Sequence, residues 1–114
     1  MKVINLSNNY IIGDQIHIAD NPLKKMVGLL SRKNLDYGEG LLIKNTNSIH
    51  SIGMRFNFDA VYLDKEYNVV KTIEKIKPWR IMPVVFNAKH VLELPAGMVE
   101  KAQIRVNNRL EFQE

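Results

Sequence analysis

Cysteine is absent from all 114 residues of the chain. Its absence excludes disulfide bracing, thiolate catalysis and zinc sites built on cysteine. Long apolar runs are missing as well, since no segment approaches the ~20 residues that a membrane-spanning helix requires. The opening segment carries one charge and too short an apolar stretch for a secretory signal. We therefore expect a cytoplasmic protein with no membrane partner.

Motifs for metals and nucleotides are also missing. The three histidines show neither His-x-His nor His-Glu-x-x-His spacing, which argues against a dedicated metal site. The Gly-Glu-Gly triplet at 38–40 lacks the third glycine and the following helix of a dinucleotide-binding loop, and no Walker-type lysine loop occurs. The sequence thus predicts neither a metal nor a cofactor.

Basic residues exceed acidic ones, 16 against 12, which gives a net charge of +4. They gather in two interrupted clusters, within 24–33 and within 71–80. Neither cluster resembles an arginine-rich arm or the aromatic motif of an RNA-binding sheet. We interpret both clusters as solvated surface and expect no nucleic-acid partner.

Length and composition predict a single domain over residues 1–114. A chain of this size can bury a hydrophobic core, and 46% hydrophobic with 25% charged residues is typical of globular proteins. Short apolar runs separated by Gly, Asn and Pro predict many short strands. These runs fall at 1–6, 10–12, 15–18, 41–43, 59–64, 69–76, 90–94 and 109–112. With one short helix added, the pattern favours a mainly β domain, either a sandwich or a barrel.

Two local patterns in the first 30 residues are more specific. Gly13-Asp14 predicts the turn of a hairpin between 10–12 and 15–18. Asn21 as cap and Pro22 at the first helical position predict a short helix that runs to about residue 30. Its apolar face would consist of Leu23, Met26, Val27 and Leu30.

The stretch 48–64 combines polar side chains with a strongly apolar strand. His50 and Arg55 precede the strand, and Asp59 opens it. Burying an imidazole, a guanidinium or a carboxylate costs several kcal/mol unless the group finds a partner. These residues therefore form either a structural polar network or a binding site.

Several short blocks of sequence follow one another along the chain: Gly-Leu-Leu-Ser-Arg at 28–32, Gly-Leu-Leu-Ile at 40–43, Ile-His at 49–50, Met-Arg-Phe at 54–56, Asp59, Pro-Trp-Arg at 78–80 and Leu-Glu-Leu-Pro-Ala-Gly at 92–97. In this order they resemble a small prokaryotic family catalogued as domain of unknown function 192. The resemblance implies a compact jelly-roll-like β-sandwich and brings no established activity. The chain departs from the family pattern at Ile52-Gly53, at Asn57 and at Asn107-Asn108.

Glu93 stands between two leucines of a predicted strand, which indicates a buried carboxylate. One interpretation is structural, with Glu93 paired to an arginine or bonded to backbone amides near Gly97. The other is a ligand-facing acid in a cleft with His50 and Asp59. Trp79 and Arg80 leave a similar choice, since they could hold a ligand or plug the end of the sheet.

Three hypotheses for function follow. The first is a binding module for a small polar or anionic ligand, such as a carbohydrate, and it leads because acids, bases and aromatics are present without a nucleophile motif. The second is a hydrolase with His50 as general base, oriented by Asp59 or Glu93. The third is an accessory subunit that docks on another protein through residues 79–86. The predicted cleft residues are Arg32, His50, Arg55, Asp59, Trp79, Arg80 and Glu93.

Overall fold

The structure, a computed structural model, describes residues 1–21, 24–25, 29–30 and 32–114. It confirms the predicted mainly β fold. A four-residue helix, α1 (Met98–Lys101), follows the sixth strand. Over the described residues the strands are β1 (Lys2–Asn5), β2 (Tyr10–Ala19), β3 (Gly38–Ile43), β4 (Phe58–Leu63), β5 (Val69–Ile76), β6 (His90–Pro95) and β7 (Leu110–Gln113).

The strands form one sheet in the order β5-β4-β6-β3-β2-β1-β7. The β2–β3 pair is parallel, with Ile16 aligned to Gly40, and the other neighbouring pairs are antiparallel. Parallel strands need a crossover connection, which residues 20–37 supply. β6 lies between β3 and β4, so both of its edges are paired.

The two outer strands of this order, β5 and β7, come together at one end. Val69 N–H donates to the Asn108 carbonyl at 2.8 Å, and Leu110 N–H donates to the Tyr67 carbonyl at 3.0 Å. Asn68 and Arg109 form an antiparallel bridge at the same place. The sheet therefore curls until its edges meet, which gives it a barrel-like form and reduces the length of unpaired strand edge.

Apolar side chains divide between the two faces of the curled sheet because residues alternate along each strand. On β4, Val61 and Leu63 face one cluster while Phe58 and Tyr62 face the other. The first cluster, called the barrel core, draws on all seven strands and on α1: Val3, Ile12, Ile16, Leu42, Val61, Leu63, Val69, Leu92, Leu94, Met98, Val99, Ala102, Ile104 and Leu110. The second, called the outer core, consists of Ala19, Leu29, Leu41, Ile43, Ile49, Met54, Phe58, Ala60, Tyr62, Ile76, Ala88 and Val91.

The predicted hairpin at Gly13-Asp14 is wrong, because both residues lie within the continuous strand β2. The turn comes earlier, at residues 6–9, where Asn9 has a positive φ of 60° and Tyr10 N–H donates to Asn8 Oδ1. Gly13 serves a close approach instead, since a Cβ at this position would lie 2.6 Å from the Gly38 carbonyl oxygen.

The helix predicted at residues 21–30 is described only in part. Asn21 Oδ1 accepts a hydrogen bond from Lys24 N–H at 2.9 Å, as expected of a capping residue, and Lys24 and Lys25 are helical. Three members of its predicted apolar face, namely Leu23, Met26 and Val27, lie outside the described residues.

Candidate functional site

Glu93 is a buried carboxylic acid at the centre of the sheet. Its side chain is 4% exposed. Along β6 it shares a face with Val91, and its neighbours across the strands are Leu41 on β3 and Ala60 on β4. Because Val91, Leu41 and Ala60 all belong to the outer core, the Glu93 side chain lies on that apolar side of the sheet.

Burial raises the pKa of Glu93 to about 8. Desolvation is the only cause, and no described residue hydrogen-bonds to the carboxyl. Tyr62 lies diagonally across from Glu93, and its buried hydroxyl also has no hydrogen-bond partner among the described residues. Burial, followed by the charge of Glu93, raises the pKa of Tyr62 to about 12. At neutral pH both groups are therefore largely protonated and neutral.

Glu93 lines a cavity of about 110 Å³ that opens to solvent. Leu29 and Leu30 bound it from the crossover segment, and Ile49 and Met54 from the loop before β4. These walls are apolar. Five of the ten described lining residues are apolar and five are polar or charged, so polar groups converge on a partly apolar pocket, as in small-molecule sites. The described lining residues are Lys25, Leu29, Leu30, Ile43, Thr46, Ser48, Ile49, His50, Met54 and Glu93.

His50 lies at the exposed rim of this cavity. Its Nδ1 accepts a hydrogen bond from Ile52 N–H at 3.2 Å. A neutral imidazole that accepts at Nδ1 carries its proton on Nε2, so His50 presents an N–H donor as its second polar atom. Lys25 adds an ammonium to the lining, with its Nζ 3.5 Å from the Asn45 carbonyl oxygen. The edge of the cavity thus combines the N–H donor of His50 with the positive charge of Lys25.

Asp59 is placed away from this cavity and performs a structural task. The side chain is fully buried. Its Oδ1 accepts from Lys75 N–H at 2.8 Å, and its Oδ2 accepts from Gly97 N–H at 3.1 Å and Val99 N–H at 2.9 Å. Asp59, rather than Glu93, therefore takes the backbone amides near Gly97. It ties β4 to β5 and to the start of α1.

The other predicted cleft residues are dispersed. Arg32 pairs with Glu39, with Nη2 2.9 Å from both carboxylate oxygens, and this interaction lowers the pKa of Glu39 after the larger effect of the Asp36 backbone amide. Arg55 and Arg80 are exposed, and Trp79 is 67% exposed. Of the seven predicted cleft residues, the structure brings only His50 and Glu93 together at the cavity.

Sequence reasoning missed Lys25, Thr46 and Ser48 as lining residues. Lys25 belongs to the basic cluster that was interpreted as solvated surface, and the other two belong to a polar turn that carries no motif. Ser48 precedes the Ile49-His50 block that carries the family resemblance, which is the one signal that could have identified it. The three residues are united by the fold rather than by spacing along the chain.

Two features are absent from the described residues. These residues contain no group of three His, Asp or Glu side chains that could hold a metal ion. They also contain no helix that is long and apolar enough to cross a membrane.

Comparison with known proteins identifies relatives over nearly the whole chain. A UPF0127 protein of Pyrococcus furiosus is 30% identical over 113 residues, covering 96% of this chain and 97% of the relative. A UPF0127 protein of Pyrococcus horikoshii is 27% identical over 113 residues with the same coverage. The crystal structure of a protein of unknown function from Novosphingobium aromaticivorans matches with a TM-score of 0.83 at 16% identity. It covers 97% of this chain and 82% of that one, which establishes a shared fold.

The model of one protein family covers residues 4–112 of the chain. That family is described as "Uncharacterized ACR" and is catalogued as domain of unknown function 192. The match agrees with the blocks of sequence similarity noted between residues 28 and 97. The chain belongs to this family.

Proposed function

We propose that this chain is a binding module for a small anionic molecule, held in the Glu93 cavity without turnover. The observation that carries the proposal is the buried carboxyl of Glu93, which has no hydrogen-bond partner among the described residues and borders an open cavity. A carboxyl that is kept protonated in an apolar wall and faces an open cavity can donate its O–H to a ligand held there.

The charge of the cavity favours an anion over a cation. Glu93 is mostly protonated at neutral pH, since its pKa is about 8. It can therefore donate its O–H to a ligand oxygen. Lys25 adds a positive charge, and His50 adds an N–H donor. An organic cation would meet the ammonium of Lys25 and would have to ionise Glu93, whereas an anion meets a positive charge and can accept from the O–H of Glu93 and the N–H of His50.

The size and walls of the cavity restrict the ligand further. The volume of about 110 Å³ is smaller than the ~150 Å³ of an engineered cavity that accepts benzene. A hexose, which has about twice as many heavy atoms as benzene, would not fit inside. The apolar walls favour a short carbon chain between polar groups. These features support a small carboxylate that also carries a hydroxyl or carbonyl oxygen, rather than a carbohydrate.

The hydrolase alternative receives less support from the same geometry. His50 and Glu93 line one cavity, but no hydrogen bond joins them, and His50 Nδ1 is occupied by the Ile52 amide. Asp59 does not orient His50, because it does not line the cavity and its carboxylate binds the backbone N–H groups of β5 and of residues 97 and 99. Binding without chemistry is the function that the arrangement supports best.

The experiment is a thermal-shift screen of small hydroxy- and oxo-carboxylates, their neutral amides, sugars and divalent metals. A ligand at a hundred times its Kd adds about 2.7 kcal/mol of stability, which raises Tm by several degrees. The wild type should respond to a carboxylate and not to its amide, and Glu93→Gln and His50→Ala should respond less. Arg55→Ala, an exposed change outside the cavity lining, is the matched control and should respond as the wild type does. An equal response in all four proteins would place the binding elsewhere.

A further inference from the structure

A second feature, independent of the cavity, is an apolar surface beside it. Phe86 is 90% exposed, Ile81 77% and Trp79 67%. Nine large apolar side chains are exposed among the described residues, and five of them belong to this surface, so the exposure is concentrated rather than scattered. We call it the apolar rim. It consists of Ile52, Trp79, Ile81, Val84 and Phe86.

The backbone beneath the apolar rim is anchored. Trp79 N–H donates to the Ser51 carbonyl at 3.0 Å, Met82 N–H to the Ile49 carbonyl at 3.0 Å, and Val85 N–H to the Asn47 carbonyl at 2.9 Å. Met82 and Val85 turn inward and pack against the outer core. Because Met82 and Val85 point inward, the neighbouring side chains of Ile81, Val84 and Phe86 point into solvent.

The chain segment that carries most of the apolar rim has charged residues of one sign. No acidic residue occurs between Glu74 and Glu93. The same segment contains four cations and therefore has a net charge of +4, as large as that of the whole chain. These cations are Lys75, Lys77, Arg80 and Lys89, and all four are exposed.

We propose that the apolar rim docks on the surface of an anionic phospholipid membrane. Its aromatic and aliphatic side chains enter the headgroup boundary, and the four cations meet the lipid phosphates and carboxylates. This mode needs no membrane-spanning segment, so the lack of a long apolar run in the sequence does not oppose it. The sequence-based expectation of no membrane partner considered only spanning and secretory segments.

Two observations favour a membrane over the protein partner that the sequence suggested for residues 79–86. The apolar side chains are separately and highly exposed, and a fluid interface accepts such side chains without a matching shape. A protein partner requires pockets that fit each of them. All charged residues between Glu74 and Glu93 are cations, which fits a uniformly anionic layer of lipid headgroups.

The experiment uses Trp79, the single tryptophan of the chain, as its own probe. The full chain is titrated with phosphatidylcholine vesicles that either contain or lack phosphatidylserine. The emission of Trp79 should shift to shorter wavelength, and the protein should sediment with the phosphatidylserine vesicles only. High salt should release it, because the attraction to the headgroups is screened. No shift and no sedimentation with phosphatidylserine vesicles would overturn the proposal.

Matched variants separate the two contributions. Lys77→Glu with Arg80→Glu should weaken binding to phosphatidylserine vesicles more than about tenfold, since each cation near such a surface contributes about one kcal/mol. Ile81→Ser with Phe86→Ser should abolish the emission shift. Lys65→Glu and Val106→Ser alter exposed residues elsewhere and should change neither result. Equal losses in the control variants, or a self-associated protein whose apolar rim is covered by a second copy, would contradict the proposal.

Discussion

At the scale of single residues, two buried acids on adjacent strands have opposite roles. Asp59 on β4 has three backbone N–H partners, whereas Glu93 on β6 has none among the described residues. Hydrogen bonds satisfy the oxygens of the first, and the second avoids a buried charge by remaining protonated. One carboxyl therefore holds the fold together, and the other is available to a ligand.

The raised pKa of Glu93 makes stability depend on pH. The unfolded chain releases this proton near the ordinary value of 4.5, and the folded chain keeps it up to about pH 8. Between these values the native state binds more protons, so the free energy of unfolding falls as pH rises. The stability from this group is complete below the unfolded pKa and is lost by about pH 8.

Glu93→Gln removes this dependence while keeping a neutral side chain of similar shape. Relative to the variant, the free energy of unfolding of the wild type should fall by about 1.4 kcal/mol per pH unit over most of the range between pH 4.5 and about pH 8. Urea unfolding of both proteins across this range measures the difference. Glu100→Gln, an exposed change on α1, is the matched control and should follow the wild type. Parallel curves for wild type and Glu93→Gln would show that Glu93 is not buried in its protonated form.

Asp59→Ala should destabilise the fold severely. It leaves the N–H groups of Lys75, Gly97 and Val99 without their acceptor, and each buried unpaired group costs about 1–3 kcal/mol. We expect a loss on the order of 4 kcal/mol in urea unfolding. Asp59→Asn retains one acceptor oxygen and should cost less. A loss below about 1 kcal/mol for the alanine variant would contradict the structural role of this carboxylate.

The residue scale is also where sequence was least informative. Burial of Asp59 and Glu93 could be predicted, because both stand in apolar runs. Which of them would reach the amides near Gly97 could not, since that depends on how β4 and α1 approach each other. The arginine pair predicted for Glu93 does not form; Arg32 pairs instead with Glu39 at the start of β3.

At the scale of secondary structure, β2 is the element that sequence misjudged. Its glycine was interpreted as a turn, because Gly-Asp between apolar runs usually indicates a hairpin. In the structure Gly13 pairs with Val3 of β1 and with Gly38 of β3, so it needs room on both edges. Composition alone does not distinguish a glycine in a hairpin turn from a glycine that lets a neighbouring strand approach closely. The strands predicted at 59–64, 69–76 and 90–94 were confirmed, because their apolar runs are longer and free of glycine.

Gly13→Ala tests this close approach. The new Cβ would lie 2.6 Å from the Gly38 carbonyl oxygen, a backbone atom that can move only with β3. We expect the substitution to cost about 2 kcal/mol in urea unfolding, as overpacking of a well-fitted interior does. Gln15→Ala, an exposed change on the same strand, is the control and should stay within about 0.5 kcal/mol of the wild type. If both variants are equally stable, β2 and β3 are not packed as closely as described.

At the scale of the whole molecule, the cavity exists because separate segments cover one face of the sheet. β6 supplies Glu93, the crossover segment supplies Leu29 and Leu30, and the loop before β4 supplies Ile49 and His50. The fold class could be predicted from the run of short strands and from the family resemblance. The cavity could not, because its lining depends on which loops cover the outer core.

Ligand affinity should follow the protonation of Glu93. A ligand carboxylate next to Glu93 accepts a hydrogen bond from the O–H of the protonated Glu93. Once Glu93 ionises, the two negative charges repel each other. The affinity of the ligand for the wild type should therefore be constant below the pKa of about 8 and fall about tenfold per pH unit above it. Glu93→Gln should show a flat profile over the same range. Calorimetric titration of each protein with a ligand from the screen measures the two affinity profiles. An affinity for the wild type that rises above pH 8 would contradict the proposed hydrogen bond from protonated Glu93 to an anionic ligand.

The most direct test of the central claim is a nuclear magnetic resonance titration of the ¹⁵N-labelled chain with lactate and with lactamide, at a pH below that of Glu93 ionisation. The account predicts saturable amide shifts that cluster at the cavity, at Ile49, His50 and Met54, with lactate and much less with lactamide. Glu93→Gln should weaken them. Shifts that do not saturate, that are equal for the two compounds, or that fall outside the cavity would contradict binding of a small anion at Glu93.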